Sequence, residues 1–252
     1  MRVISDVISS THNDIVKRII DIKNNPSNML FIENIKLIDE ALKSGREVIF
    51  SLICSDYLDV VKSTCPEVLE SDYYIVSRPV LEKICDTRSP QGIASVIRFD
   101  MLRSDISGKF IVLDNIQDPG NLGTIIRSAS GTDFNDICLI NGAYPLNQKV
   151  VRSTMGGIFR TRFHLFSSPS EFVDYAKEHN LTYYSCSMEG DNVFSFKPTG
   201  DFGIVIGNEG NGVSDILKQN SSKLLSIPMK NGLESLNAGV SLGIIIYYLQ
   251  NM

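Results

Sequence analysis

The chain has 252 residues, 43% of them apolar, which suits one large α/β domain or two ordinary ones and argues against disorder. A formal net charge of -5 argues against a protein that binds nucleic acid over its whole surface. No run approaches the roughly 18 apolar residues of a membrane span. Arg2 and Asp6 stand where a secretory signal would be apolar, so the chain is expected in the cytosol with no membrane partner.

The first hundred residues read as mixed α/β. Asn13 to Asn24 is expected to be helical, with Ile15, Ile19, Ile20 and Ile22 at its apolar positions. Met29 to Ile32 reads as a short strand, Ile35 to Ser44 as a helix stopped by Gly45, and Val48 to Cys54 as an apolar strand. A helix around Pro79 to Cys85 and a strand from Ile93 to Phe99 follow. The polar segment 100–109 is the expected linker, which divides the chain into domains at 1–99 and 110–252.

Beyond the linker, short apolar strands alternate with helical stretches. The strands are Phe110 to Asp114, Asp136 to Asn141, Arg162 to Ser167, Thr182 to Met188, Phe202 to Gly207 and Leu224 to Met229. A helical stretch lies near Val150 to Phe159, and another follows Ser168, whose hydroxyl and Glu171 form a capping box with Pro169 in the first turn. The last helix is expected from near Leu236 to Gln250. Such alternation implies a mostly parallel sheet flanked by helices. Ligands of such sheets bind beyond the carboxyl ends of the strands, which directs attention to the loops leaving Asp114, Gly207 and Met229.

The five cysteines are scattered without a C-x-x-C pair, and His12, His164 and His179 lie far from them and from one another, so neither a zinc site nor a disulfide framework is expected. Cys138 and Cys186 sit in apolar runs and read as buried core thiols. From Ile137 to Ser170 there is no acidic residue, while Lys149, Arg152, Arg160 and Arg162 fall in that span. This tract either follows an RNA backbone or is a solvated face with its counter-charges elsewhere in space.

The first loop, Asn115 to Thr124, holds Pro119, Gly120 and Gly123 before a helix carrying Arg127, a turn suited either to helix capping or to an anion at the helix amino terminus. The second loop, Gly207 to Gly212, has three glycines in six residues around Glu209; its spacing is neither the dinucleotide fingerprint nor a Walker loop. The third, Ile227 to Ala238, offers Ser235 and Asn237 as caps for the last helix, whose first half is thinned by Ala238, Gly239, Ser241 and Gly243.

Together, Leu113 to Ser130, Val205 to Val213 and Ile227 to Leu242 resemble, in order and identity, the motifs of the SpoU or TrmH-type RNA methyltransferases of the SPOUT superfamily. Thr87 to Ala94 is similar to the stretch that closes the substrate-binding domain in that family; Glu33-Asn34 departs from its frequent Glu-Gly. The resemblance implies an α/β fold with a deep trefoil knot in the C-terminal domain, a small ribosomal-protein-like RNA-binding domain before it, and a homodimer through the final helix and the first-loop helix. It implies S-adenosylmethionine as cofactor, with no metal, and methyl transfer to a ribose 2′-hydroxyl of RNA, ribosomal RNA before transfer RNA. It gives cofactor contacts to the backbone at Gly207, Ile227 and Leu236, and the catalytic centre to Asn121, Arg127, Glu209, Ser235 and Asn237. Arg127 is then either a base or an electrostatic stabiliser. Two other readings stay open: a non-catalytic RNA-binding or ribosome-assembly protein that keeps the fold, and a nucleotide-binding oxidoreductase.

Overall fold

The computed structural model describes residues 3–26, 28–101 and 105–251, so Arg2 and residues 102–104 of the expected linker lie outside the described residues. Two compact units form: Met1–Asp100 with Leu146–Val151, and Met101–Pro145 with Arg152–Met252. No helix among the described residues is long and apolar enough to cross a membrane.

The first unit is a five-stranded mixed sheet with helices. Its chain order is β1 (Val3–Ile8), α1 (Asp14–Asn24), β2 (Met29–Ile32), α2 (Ile35–Lys43), β3 (Val48–Cys54), α3 (Leu58–Thr64), β4 (Asp72–Val76), α4 (Arg78–Ile84) and β5 (Ile93–Arg98). The strands lie in the order β1-β4-β3-β5-β2. Helix α1 forms because Ile15, Val16, Ile19 and Ile22 fall on one buried strip, while the Asn13 side chain accepts a hydrogen bond from the Ile15 amide. The strip packs into a core with Phe31, Leu52 and Val96. Elements β1, α3 and β4 carry no expectation from the sequence.

The second unit is a six-stranded parallel sheet. In chain order come β6 (Lys109–Asp114), α5 (Pro119–Ala129), β7 (Phe134–Ile140), α6 (Gln148–Ser153), β8 (Arg162–Phe166), α7 (Pro169–Glu178), β9 (Tyr183–Asn192), β10 (Gly203–Gly207), α8 (Asp215–Asn220), β11 (Lys223–Ser226) and α9 (Ala238–Leu249). Residues Gln148–Val151 of α6 are grouped with the first unit. The strand order is β11-β9-β10-β6-β7-β8. From β6 the chain builds outward through β7 and β8, then returns to lay β10 against the other side of β6. The sheet therefore has its topological switch point between β6 and β10, where neighbouring loops leave in opposite directions and open a crevice. Asp114 and Gly207, the last residues of these strands, are register partners.

One expectation is corrected by the start of α7. There the Ser168 hydroxyl accepts from the Glu171 amide, but the Glu171 carboxylate accepts from the Ser167 amide and hydroxyl, one residue earlier than a capping box places it. Arg162, expected to follow an RNA backbone, is paired with an acid of its own sheet. It opens β8 at the amino end of the sheet, away from the carboxyl-end loops, and its Nε and Nη2 donate to Asp136 at 2.7 and 2.5 Å.

Asp136 is fully buried in β7 and also accepts from His164 Nε2 at 2.8 Å and the Ser107 amide at 3.3 Å. Burial pushes its carboxyl up, but the hydrogen bonds from Arg162, His164 and Ser107, with the charge of Arg162, outweigh that and hold it at about 2. A carboxyl that titrates lower folded than unfolded contributes stability in full above the unfolded value, and that contribution is lost as pH falls from about 4 towards 2. Acid unfolding followed by circular dichroism is therefore expected to lose this component in the Asp136→Asn variant. Asp136→Ala is expected to lower stability by about 3 kcal/mol, because it strands the buried His164; unchanged urea midpoints would refute it.

Candidate active site

The first two loops begin side by side because β6 and β10 end in register. Asp114 is buried at this point and its Oδ2 accepts from the Ser214 amide at 2.7 Å, tying the end of the first strand to the far side of the second loop. Asn208 adds a second tie, its Nδ2 donating to the Asn115 carbonyl at 3.1 Å while its Oδ1 accepts from the Gly210 amide at 2.8 Å. Both residues do structural work that the sequence reading missed; an acid ending the run Phe-Ile-Val-Leu was the available signal for Asp114.

Gly207 allows the second loop to fold back on itself. A Cβ there would stand 2.0 Å from the Gly212 carbonyl oxygen and 2.3 Å from the Val213 nitrogen, both backbone atoms. The Gly212 amide donates to the Asn208 carbonyl at 2.8 Å, which closes the turn. Helix α5 starts under Asp118, whose side chain accepts from the Asn121 amide at 2.8 Å. The third loop delivers α9, which begins at Ala238 rather than near Leu236, because Asn237 is its cap and accepts from the Gly239 and Val240 amides at 3.0 and 3.3 Å. Ser235 does not cap the helix; it is exposed on the cleft.

The three loops meet side chain to side chain. Asn121 Nδ2 donates to Glu209 Oε1, and Asn237 Nδ2 donates to Asn121 Oδ1 at 2.8 Å. Asn121 thus connects a carboxylate of the second loop with the amide that caps α9. Behind this chain lies a cleft of about 650 Å³, lined by Gly207, Glu209, Ile227, Ser235 and Leu236 among others. Its size falls in the range of small-molecule and cofactor sites. The wall pairs apolar side chains, Ile206, Leu225, Met188 and Leu233, with the carboxylates of Glu209 and Glu234. Met188 is 74% exposed and Leu233 is 55% exposed, high for apolar residues beside a cavity. Cys186 also lines this cleft and is half-buried rather than a core thiol, with burial pushing its thiol up to about 12; Cys138 is fully buried. All five cysteines are free.

Arg127 is not a lining residue of the cleft. It stands exposed two turns along α5 from Asn121, and among the described residues its guanidinium has no ion pair or hydrogen bond. Arg152 is half-exposed in α6 and Arg160 and Lys149 are exposed.

The second and third loops line the cleft together with Cys186 to Met188 of β9, and the first loop joins them through Asn121. The sequence pattern of the SpoU rRNA Methylase family covers residues 108–247. The chain is 30% identical over 228 residues to the 23S rRNA (guanosine(2553)-2'-O)-methyltransferase RlmP of Bacillus subtilis, covering 89% of each chain. It is 29% identical over 260 residues to the 23S rRNA (adenosine(1067)-2'-O)-methyltransferase of Streptomyces azureus, covering 96% of this chain and 94% of that one. Its fold superposes on the AdoMet-bound rRNA methyltransferase of Sinorhizobium meliloti with a TM-score of 0.83 at 22% identity, over 98% of this chain and 97% of that one. The motif-bearing loops, the parallel sheet that presents them and these relatives agree, and the chain belongs to the SpoU rRNA methylase family.

Proposed function

We propose that the chain transfers the methyl group of S-adenosylmethionine to the 2′-hydroxyl of a ribose in RNA, ribosomal RNA in preference to transfer RNA. The observation that carries this reading is the hydrogen-bonded chain from Glu209 through Asn121 to Asn237 at the mouth of the cleft. The two curated relatives, both named for 23S rRNA, support the choice of RNA.

The cleft fits the cofactor on its own chemistry. Backbone at Gly207, Ile227 and Leu236 offers hydrogen bonds to a nucleoside, the apolar wall suits an adenine face, and Glu209 and Glu234 complement a cationic ligand. When bound, S-adenosylmethionine supplies a methyl already activated on a sulfonium. The protein's task is then alignment and care of the acceptor oxygen, because a ribose hydroxyl is scarcely ionised near neutral pH. Glu209 and Asn237, joined through Asn121, hold the ribose, and Ser235 hydrogen-bonds the reacting hydroxyl or its neighbouring phosphate. A guanidinium stays protonated in proteins, so Arg127 stabilises the developing alkoxide and clamps the phosphate.

RNA contacts fall to Lys149, Arg152 and Arg160, with the domain at 1–99 selecting the site and the linker at 100–109 joining it to the methyltransferase domain at 110–252. The C-terminal segment from the second loop to α9 is assigned the trefoil knot, and small residues support a close passage: a Cβ on Gly239 would meet the Thr124 side chain of α5 at 3.2 Å. A homodimer through α5 and α9 is supported by Val240 and Tyr247, which are 49% and 46% exposed on an otherwise apolar helix.

Incubation with labelled S-adenosylmethionine and total RNA from cells lacking the protein is expected to label ribosomal RNA at one nucleotide, with light scattering giving twice the 28.0 kDa chain mass. Cofactor heat in calorimetry without label in any RNA fraction would end the catalytic reading.

A further inference from the structure

Five residues other than glycine have positive φ in the described structure: Asn115, Asn141, Asn180, Asn231 and Met155. Asparagine tolerates that region because its side chain bonds locally; methionine has no such compensation. Met155 nevertheless sits at φ +50°, followed by Gly156 at φ +93°. Its side chain is 61% exposed, although an apolar side chain gains nothing from water.

The turn that carries it is held firmly. The Met155 amide donates to the Arg152 carbonyl at 3.3 Å, the Gly157 amide to the Thr154 carbonyl at 3.0 Å, and Thr154, Gly156, Gly157 and Ile158 are all buried. The turn packs on the last turns of α5. A Cβ on Gly157 would stand 3.2 Å from the Cα of Arg127 and 2.7 Å from the Ser130 hydroxyl. An apolar side chain is thus fixed outward in a costly backbone conformation, two residues from a contact with the arginine assigned to the acceptor phosphate. The flanking sequence from Ile137 to Ser170 holds no acid.

From this we infer that Met155 is an RNA-contact residue which packs its thioether against the base beside the acceptor ribose and keeps that nucleotide splayed out for methyl transfer. The inference deepens the proposed function and rests on it. Recognition of RNA in loops requires an unstacked base to find a new face, and a methionine supplies one that is polarisable and adaptable. Apolar side chains, methionine included, serve as wedges between bases elsewhere. Backbone strain kept at a solvent-facing position is the expected signature of such a contact, since relaxing it would improve the fold and lose the ligand.

The chain has no tryptophan, so Met155→Trp installs a single indole whose emission can be excited apart from that of the tyrosines. Titration of that variant with the ribosomal RNA that the unaltered protein methylates is expected to quench its emission saturably, while a Leu165→Trp control on the edge strand β8 stays unchanged. In parallel, Met155→Gly is expected to raise the RNA KM by roughly ten-fold, the worth of one stacked base, with calorimetric affinity for S-adenosylmethionine unchanged. It should also raise Tm by roughly 2 to 4 °C through relief of the strained φ. Unquenched emission, or an unaltered RNA KM in Met155→Gly while the wild-type protein methylates the same RNA, overturns the inference alone. Emission from Met155→Trp that changes on dilution without RNA assigns the side chain to a protein contact and also overturns it. Failure of the wild-type protein to label any RNA removes the activity itself, and both readings fall together.

Discussion

Replacing Gly207 by alanine is expected to abolish S-adenosylmethionine binding in calorimetry and to lower stability by about 3 kcal/mol, an overpacking cost at the upper end for a single methyl. The added Cβ meets backbone, not a side-chain tip that can swing away: the Gly212 carbonyl carbon lies 2.1 Å from it and its oxygen 2.0 Å. That backbone cannot retreat freely. It is held by the Gly212 amide on the Asn208 carbonyl and, just beyond, by the Ser214 amide on Asp114. Relief therefore breaks the second loop where it borders the cleft. An alanine variant with unaltered cofactor affinity would show that this loop is not the cofactor's floor.

Arg127→Lys is expected to cut kcat by about 100-fold or more while leaving cofactor affinity and Tm near wild type, in line with loss of a donor that acts on developing charge. The argument runs from exposure and shape. Arg127 is exposed and outside the cleft lining, so its replacement disturbs neither packing nor the cofactor wall. What changes is the head group: lysine keeps the charge but replaces a planar fork of donors by a point charge, and phosphate recognition by two parallel bonds is lost. A lysine variant that retains half the wild-type rate would leave Arg127 with a generic electrostatic role only. Arg127→Ala separates the cases further: loss of transfer with cofactor binding intact supports the catalytic assignment, whereas loss of both marks a structural one.

Much of this architecture could be read from residues alone where local chemistry decides it. Apolar runs such as Phe110 to Asp114 and Val48 to Cys54 locate strands to within a residue, and Asn13, Ser168 and Asn237 mark helix starts through bonds their own side chains make. The three loops were legible as motifs, and the register of β6 with β10 explains why they converge. Elements decided by distant partners were not legible. Strand β4 lies between β1 and β3 and carries the β-favouring run Tyr73 to Val76, a signal that the sequence offers and that carried no expectation. Strand β1 is interrupted by Ser5 and Asp6. Helix α3 buries Val61 alone and shows too little of an apolar strip to stand out. The charge of Arg162 reads as a free basic side chain until Asp136, 26 residues away, is folded against it. Met155 is invisible to pattern reading, because a positive φ leaves no mark in the sequence when the residue is not glycine or asparagine.

The ties that shape the crevice link parts of the chain made far apart in time. Asp114 waits 100 residues for Ser214, Asn121 waits 88 for Glu209, and Asn237 closes the set 116 positions after Asn121. A nascent chain emerging from the ribosome holds β6 with one flank bare until β10 arrives, and cannot join its three loops until Asn237 has been synthesised. A ligand that binds only the native form would then stabilise chains in which all three loops have met and leave the others to be degraded.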